Sequence, residues 1–242
     1  MNAQLAAYVL AAAAANVVGA AAVVSRRQWS REALEVMVAL AAGFMIAVSL
    51  TELFPEAIES GGTRAATIAL AGYFIVHLTQ HTLAPHFHFG EETHEVSFLA
   101  GMSALAGLLV HTFVDGVAIA SGFALSAELG VLVFLAILLH KLPEGLAISS
   151  LFIAAGRSRR DALLAGAALG VATILGAVTA SLVPGLARIG IPLAAGVTLY
   201  VGASNLVPEF QAKTGWRLPI AFFTGCALFF LARSVLQATL AR

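Results

Sequence analysis

His111-Thr-Phe-Val-Asp115-Gly116-Val-Ala-Ile-Ala-Ser-Gly-Phe123 and, in the next apolar run, His140-Lys-Leu-Pro-Glu144-Gly145-Leu-Ala-Ile-Ser-Ser-Leu-Phe152 decide how the chain is read. Each stretch sets a histidine four residues ahead of a carboxylate that is followed at once by glycine. Residues four apart stand on one helical face, so each stretch presents an imidazole and an acid together. The surroundings exclude an ordinary soluble domain. Of 242 residues, 60% are hydrophobic and 11% charged, with a mean hydropathy of +0.93, whereas soluble domains run at about a quarter charged. Thirteen basic and thirteen acidic side chains leave no net pull toward nucleic acid. The one cysteine, Cys226, excludes an intramolecular disulfide framework.

A membrane-crossing helix takes roughly 20 apolar residues. Reading outward from the two motifs gives eight spans, at about 3–24, 33–58, 64–83, 96–122, 127–154, 161–186, 189–210 and 216–240. Polar breaks such as SRRQWSRE, ESGGTR, GRSRRD and QAKTGW separate them, with a corner expected at Arg188-Ile189-Gly190. The reading is an all-α polytopic membrane protein, a single transmembrane domain over 1–242. The first segment has no basic lead and is expected to be a retained span. Basic residues gather in cytoplasmic loops. With the loop after the first helix inside, eight basic groups (Arg26, Arg27, Arg31, Arg157, Arg159, Arg160, Lys213, Arg217) are cytoplasmic and three (Arg64, Arg188, Arg242) are not. That predicts a multi-pass protein of the plasma (inner) membrane with both termini outside.

The two motifs lie on consecutive spans and therefore run in opposite directions through the bilayer. A weaker echo links Glu52-Leu-Phe-Pro55-Glu56 in helix 2 with Asn205-Leu-Val-Pro208-Glu209 in helix 7. Both repeats follow from a 3+2+3 arrangement with inverted repeats about an axis in the membrane plane, the layout of many secondary transporters.

His111 and His140 fall about 15 and 13 residues into their spans, near the middle of a roughly 30 Å hydrocarbon core. A lone carboxylate there costs several kcal/mol unless paired or metal-bound. His111, Asp115, His140 and Glu144 together form a nitrogen and oxygen set that suits a divalent cation such as Zn²⁺, and equally Fe²⁺, Mn²⁺, Co²⁺ or Cd²⁺. The absence of sulfur favours exchange over permanent retention. Pro143 should kink helix 5 beside these residues, and Gly116 and Gly145 are expected to let helices 4 and 5 approach. Lys141 either enters the same cavity, supplying positive charge where a second metal would sit, or pairs with Asp115 or Glu144; its expected role is charge compensation. Glu52, Met45, His77 and His81 are candidates for the pathway. His86, His88 and His94, in a His-rich cytoplasmic loop over 84–95, are candidates for weak metal capture.

These residues resemble the ZIP family of metal transporters, in its bacterial form, on the strength of HTFVDG in helix 4 and HKLPEG in helix 5. The eight-span layout, the His-bearing loop between helices 3 and 4, and ELFPEA in helix 2 support the likeness. The resemblance implies import of zinc or a related ion toward the cytoplasm, an intramembrane site of His111, Asp115, His140 and Glu144, and an elevator-like homodimer. Many members carry Asn where this chain has Thr112, and a carboxylate where it has Lys141. Those family positions help hold a second metal, so a single ion is expected here.

The reading is thus a secondary metal importer and not an enzyme, with no Gly-rich phosphate loop for ATP hydrolysis. The ion passes Glu52, sheds water and binds midway; the helix 1–3 and 6–8 repeats then move against helices 4 and 5. A metal-dependent intramembrane hydrolase is the rival, but a one-sided active site has no use for an inverted motif. A proton-coupled carrier of an organic substrate, using the carboxylates for protons alone, is the third reading.

Overall fold

The computed structural model describes residues 2–25, 31–82, 98–211 and 213–240, and these are almost wholly helical. Helix α1 is Ala3–Ser25. Helix α2 starts as Arg31–Val48 and continues through a π-helical turn, Ser49–Leu53, to residue 61. Gly62 then takes φ 56° and ψ −144°, a backbone open to glycine and costly for other residues, and turns the chain into α3, residues 63–82. Helix α4 is Phe98–Leu125, α5 Ala127–Ala154 and α6 Arg159–Leu182. Helix α7 runs from Pro184–Tyr200 through a second π-helical turn, Val201–Leu206, to Pro208–Gln211, and α8 is Arg217–Leu240. Seven of these helices are long and apolar enough to cross a membrane. The eighth, α3, is roughly 30 Å long at 1.5 Å per residue.

Single residues cap the tight links. Ser126 Oγ accepts from Leu129 N–H at 3.0 Å to start α5, and Ser158 Oγ accepts from Asp161 N–H at 3.1 Å to start α6. The link between α6 and α7 departs from expectation. It is Val183 alone, followed by Pro184 in the first turn of α7, and Arg188–Gly190 lies inside that helix. Proline has no N–H to give and a fixed φ, so it begins a helix where hydropathy shows no break.

The π turns occupy matching places, just ahead of Pro55 and Pro208. A proline ring collides with the carbonyl four residues back, here Thr51 or Ser204. Widening the turn to a fifth residue clears that collision: Phe54 N–H reaches Ser49 O, and Val207 N–H reaches Gly202 O at 3.2 Å. The sequence echo between helices 2 and 7 is the trace of this shared distortion.

Helix pairing follows the same symmetry. Exchange α1 with α6, α2 with α7, α3 with α8 and α4 with α5. The α1–α5 pair then becomes α6–α4, and α2–α8 becomes α7–α3, and these four are the most extensive pairings in the fold. Each is built on a reciprocal glycine pair: Gly19 with Gly145, Gly176 with Gly116, Gly43 with Gly225, Gly72 with Gly196. A Cβ on any of the eight would run into main-chain atoms of the facing helix. Helices α4 and α5 do touch here, as expected, through their own histidines and acids, while Gly116 and Gly145 bring α4 against α6 and α5 against α1. Each follows its carboxylate by one residue, about 100° further round the helix, which turns it to the flanking neighbour. The result is two groups: α1, α4, α5 and α6, which hold the paired motifs, and α2, α3, α7 and α8.

Candidate metal centre

Helices α4 and α5 cross at mid-span, and each carries its histidine and its acid one turn apart. His111, Asp115 and His140 are buried, and the Glu144 side chain is 11% exposed. His111 Nε2 lies 3.1 Å from Glu144 Oε1 and 3.4 Å from Asp115 Oδ2; His140 Nε2 lies 3.3 Å from Asp115 Oδ2. One ligand atom from each of the four falls within 4.8 Å of every other. Two ligands on a tetrahedral zinc ion stand roughly 3.3 Å apart, given metal–ligand bonds of about 2.0 Å. Three of the observed separations already match that edge.

The hydrogen bonding fixes the chemistry. His140 Nδ1 lies 3.0 Å from Ala136 O, and a carbonyl only accepts, so Nδ1 carries the proton. In a neutral ring Nε2 is then a lone pair aimed at an oxygen of Asp115, and two acceptors face to face call for a cation between them, a proton or a metal ion. A metal-binding histidine is commonly oriented in this way, by donating its second nitrogen to a main-chain carbonyl. On the other side, His111 Nδ1 is buried with no hydrogen-bond partner, and His111 Nε2 and Glu144 Oε1, 3.1 Å apart, have no buried partner beyond each other. Buried polar atoms seldom go unsatisfied without a functional cause.

Lys141 enters the same cavity. Fully buried, its Nζ sits 2.6 Å from Asp115 Oδ2 and 3.0 Å from Glu144 Oε2. Of the two sequence alternatives for this lysine the structure shows the pairing, and with both acids at once.

The remaining candidates lie apart from the four. Glu52, on the π turn of α2, pairs with Arg233 of α8 at 3.2 Å. Met45 is buried in an apolar cluster with Val76, Val114, Val197, Tyr200 and Val201. Half-buried His77 of α3 packs its ring against Tyr200, centroids 5.7 Å apart. His81 belongs to the last turn of α3, but its side chain, like His86, His88 and His94, falls outside the described residues. Asn16 of α1, which no sequence pattern marks, is wholly buried beside Gly145 with neither side-chain polar atom hydrogen-bonded. Thr173, its symmetry counterpart on α6, is as deeply buried and donates to Leu169 O at 3.2 Å.

Known proteins offer a consistent comparison. The zinc transporter SLC39A7 of Rattus norvegicus is 33% identical over 123 residues, covering 46% of this chain and 26% of the relative. The putative zinc transporter At3g08650 of Arabidopsis thaliana is 36% identical over 136 residues, 52% of this chain and 21% of the relative. The zinc transporter ZIP13 homolog of Drosophila melanogaster is 28% identical over 121 residues, 50% and 28% respectively. The matched stretch is at most about a third of each curated relative's length. Residues 77–233, which include α4, α5 and both motifs, match the sequence profile described as ZIP Zinc transporter. With more than half of its length so matched, the chain belongs to the ZIP family of zinc transporters.

Proposed function

We propose that this protein carries a divalent transition metal, zinc foremost, across the plasma membrane into the cytoplasm, through a site formed by His111, Asp115, His140 and Glu144. The observation that carries the reading is the convergence of one ligand atom from each of the four residues to within 4.8 Å, with the His140 ring oriented by the Ala136 carbonyl. Zinc and the related ions Fe²⁺, Mn²⁺, Co²⁺ and Cd²⁺ suit that nitrogen and oxygen set alike, and the geometry of the site selects among them. The names of the curated relatives favour zinc. Both termini are placed outside by the basic loops, and residues 84–95 serve as a cytoplasmic capture segment.

Transport requires the site to face each side in turn. Since α4 and α5 are bound to α1 and α6 through glycine contacts, the moving unit is α1, α4, α5 and α6 together, sliding against α2, α3, α7 and α8. This replaces a movement of α4 and α5 alone. Protons compete with the metal for the same nitrogen and oxygen atoms, so binding weakens as the medium is acidified.

Uptake of radioactive zinc by proteoliposomes tests the proposal. Wild-type protein accumulates zinc, and unlabelled Fe²⁺, Mn²⁺ and Cd²⁺ compete in an order that ranks the substrates. Replacing both His111 and His140 by alanine abolishes uptake; uptake at the wild-type rate would refute the site.

A further inference from the structure

The ammonium of Lys141 lies among the ligand atoms, bridging an oxygen of Asp115 and an oxygen of Glu144. It is wholly buried, and no other Lys, Arg, Asp or Glu among the described residues of α1, α4, α5 and α6 is buried with it except Asp115 and, nearly so, Glu144. Resting on the site proposed above, the charges can be counted. With both imidazoles taken as neutral ligands, two carboxylates and one ammonium give −1 without a metal and +1 with a divalent one. Without the lysine the same site would stand at −2 and 0.

The cost of holding charge in a medium of low polarity rises as the square of that charge. With Lys141 the ion-free and loaded sites therefore bear costs in the ratio of about one to one; without it, about four to zero. A site of the second kind binds its ion firmly, moves readily when loaded, and is held back when empty. We propose that Lys141 is a resident counter-charge of the transport site: its ammonium takes both carboxylates between ions, so that the ion-free site crosses the membrane with neither a proton nor a second metal in place of the cargo. Metal binding draws the two carboxylates off the ammonium, which loosens the ion's hold and speeds its release. The lysine is thus a positioning residue for the acids and sets the turnover of the carrier, leaving ion choice to the four ligands.

Net zinc uptake into zinc-free proteoliposomes requires return of the ion-free site, whereas exchange of external labelled zinc for internal unlabelled zinc does not. For K141Q, net uptake falls by about tenfold or more, the scale set by an uncompensated charge at mid-membrane. Exchange falls by a smaller factor than net uptake, through slower release alone, and equilibrium dialysis shows zinc held more tightly than by wild type. K141R keeps the charge and keeps net uptake above that of K141Q. K141M, an unbranched side chain of similar reach, carries the same test should K141Q fail to fold. Wild-type protein supplies a measurement free of any variant: zinc uptake proceeds with no proton returned, read by a pH dye in the lumen. Net uptake by K141Q at the wild-type rate, net uptake and exchange falling by the same factor with zinc still bound, or a fixed proton counterflow in wild type would each overturn the proposal. Failure of the site itself looks different, for the His111 and His140 double variant would then transport normally in the same vesicles.

Discussion

Asp115 is shared three ways: a single oxygen, Oδ2, lies 2.6 Å from Lys141 Nζ, 3.3 Å from His140 Nε2 and 3.4 Å from His111 Nε2. Asp115→Asn keeps the shape and removes the charge that all three address. Zinc affinity, measured by dialysis in detergent, should drop by more than the roughly 10- to 100-fold that loss of an outer hydrogen-bond partner costs a metal site, since Asp115 is proposed as a ligand itself. Asn16 makes a sharper test of the packing. Asn16→Thr replaces two buried polar atoms that lack partners with a hydroxyl able to bond the Ala12 carbonyl, as its counterpart Thr173 bonds Leu169 O. A gain of about 1 kcal/mol in thermal stability is expected; a loss would show that Asn16 has a partner of its own. The four clustered residues were legible in the sequence because a charged or imidazole side chain in an apolar helix is costly and their spacing recurs. Asn16 was not, since an uncharged amide among small residues carries no such signal.

At the level of the helix, glycine decides which neighbours touch. Gly116→Ala puts a methyl group into the Thr173 carbonyl on α6 and should cost about 1–3 kcal/mol. Gly185→Ala, on the open first turn of α7, meets nothing and should be neutral or gain about 0.5–1 kcal/mol from helix propensity. Thermal unfolding of the two purified variants, side by side, checks both. Helix existence was plain from hydropathy, and the ends at Ser25, Leu125 and Ala154 came within a few residues of expectation. What escaped was local backbone chemistry. Pro184 opens α7 without a hydrophobic break, and Pro55 and Pro208 widen the turns before them while the apolar pattern runs on undisturbed. Hydropathy records what a segment buries and is blind to how many residues a turn contains.

For the whole molecule, orientation is open to direct measurement. With Cys226 replaced by serine, a cysteine at Ser126 should react with an impermeant thiol reagent in intact cells. One at Arg157 should react only after the cells are opened. The opposite pattern would reverse the assigned sidedness and with it the direction of transport. The grouping of α1 and α6 with the motif helices was beyond the reach of the sequence, because it depends on which face each glycine presents once the helices are assembled. That arrangement has a consequence for the energy of the transport cycle. If the two halves trade their backbone conformations, the molecule that results has the same shape turned over, with its opening on the other side of the bilayer. The two orientations are then equal in backbone form, and what separates them in free energy is the unlike partners across the axis, among them Glu52 against Asn205, Asn16 against Thr173, Asp115 against Glu144 and Thr112 against Lys141. Exchanging one of these for its opposite number shifts that balance.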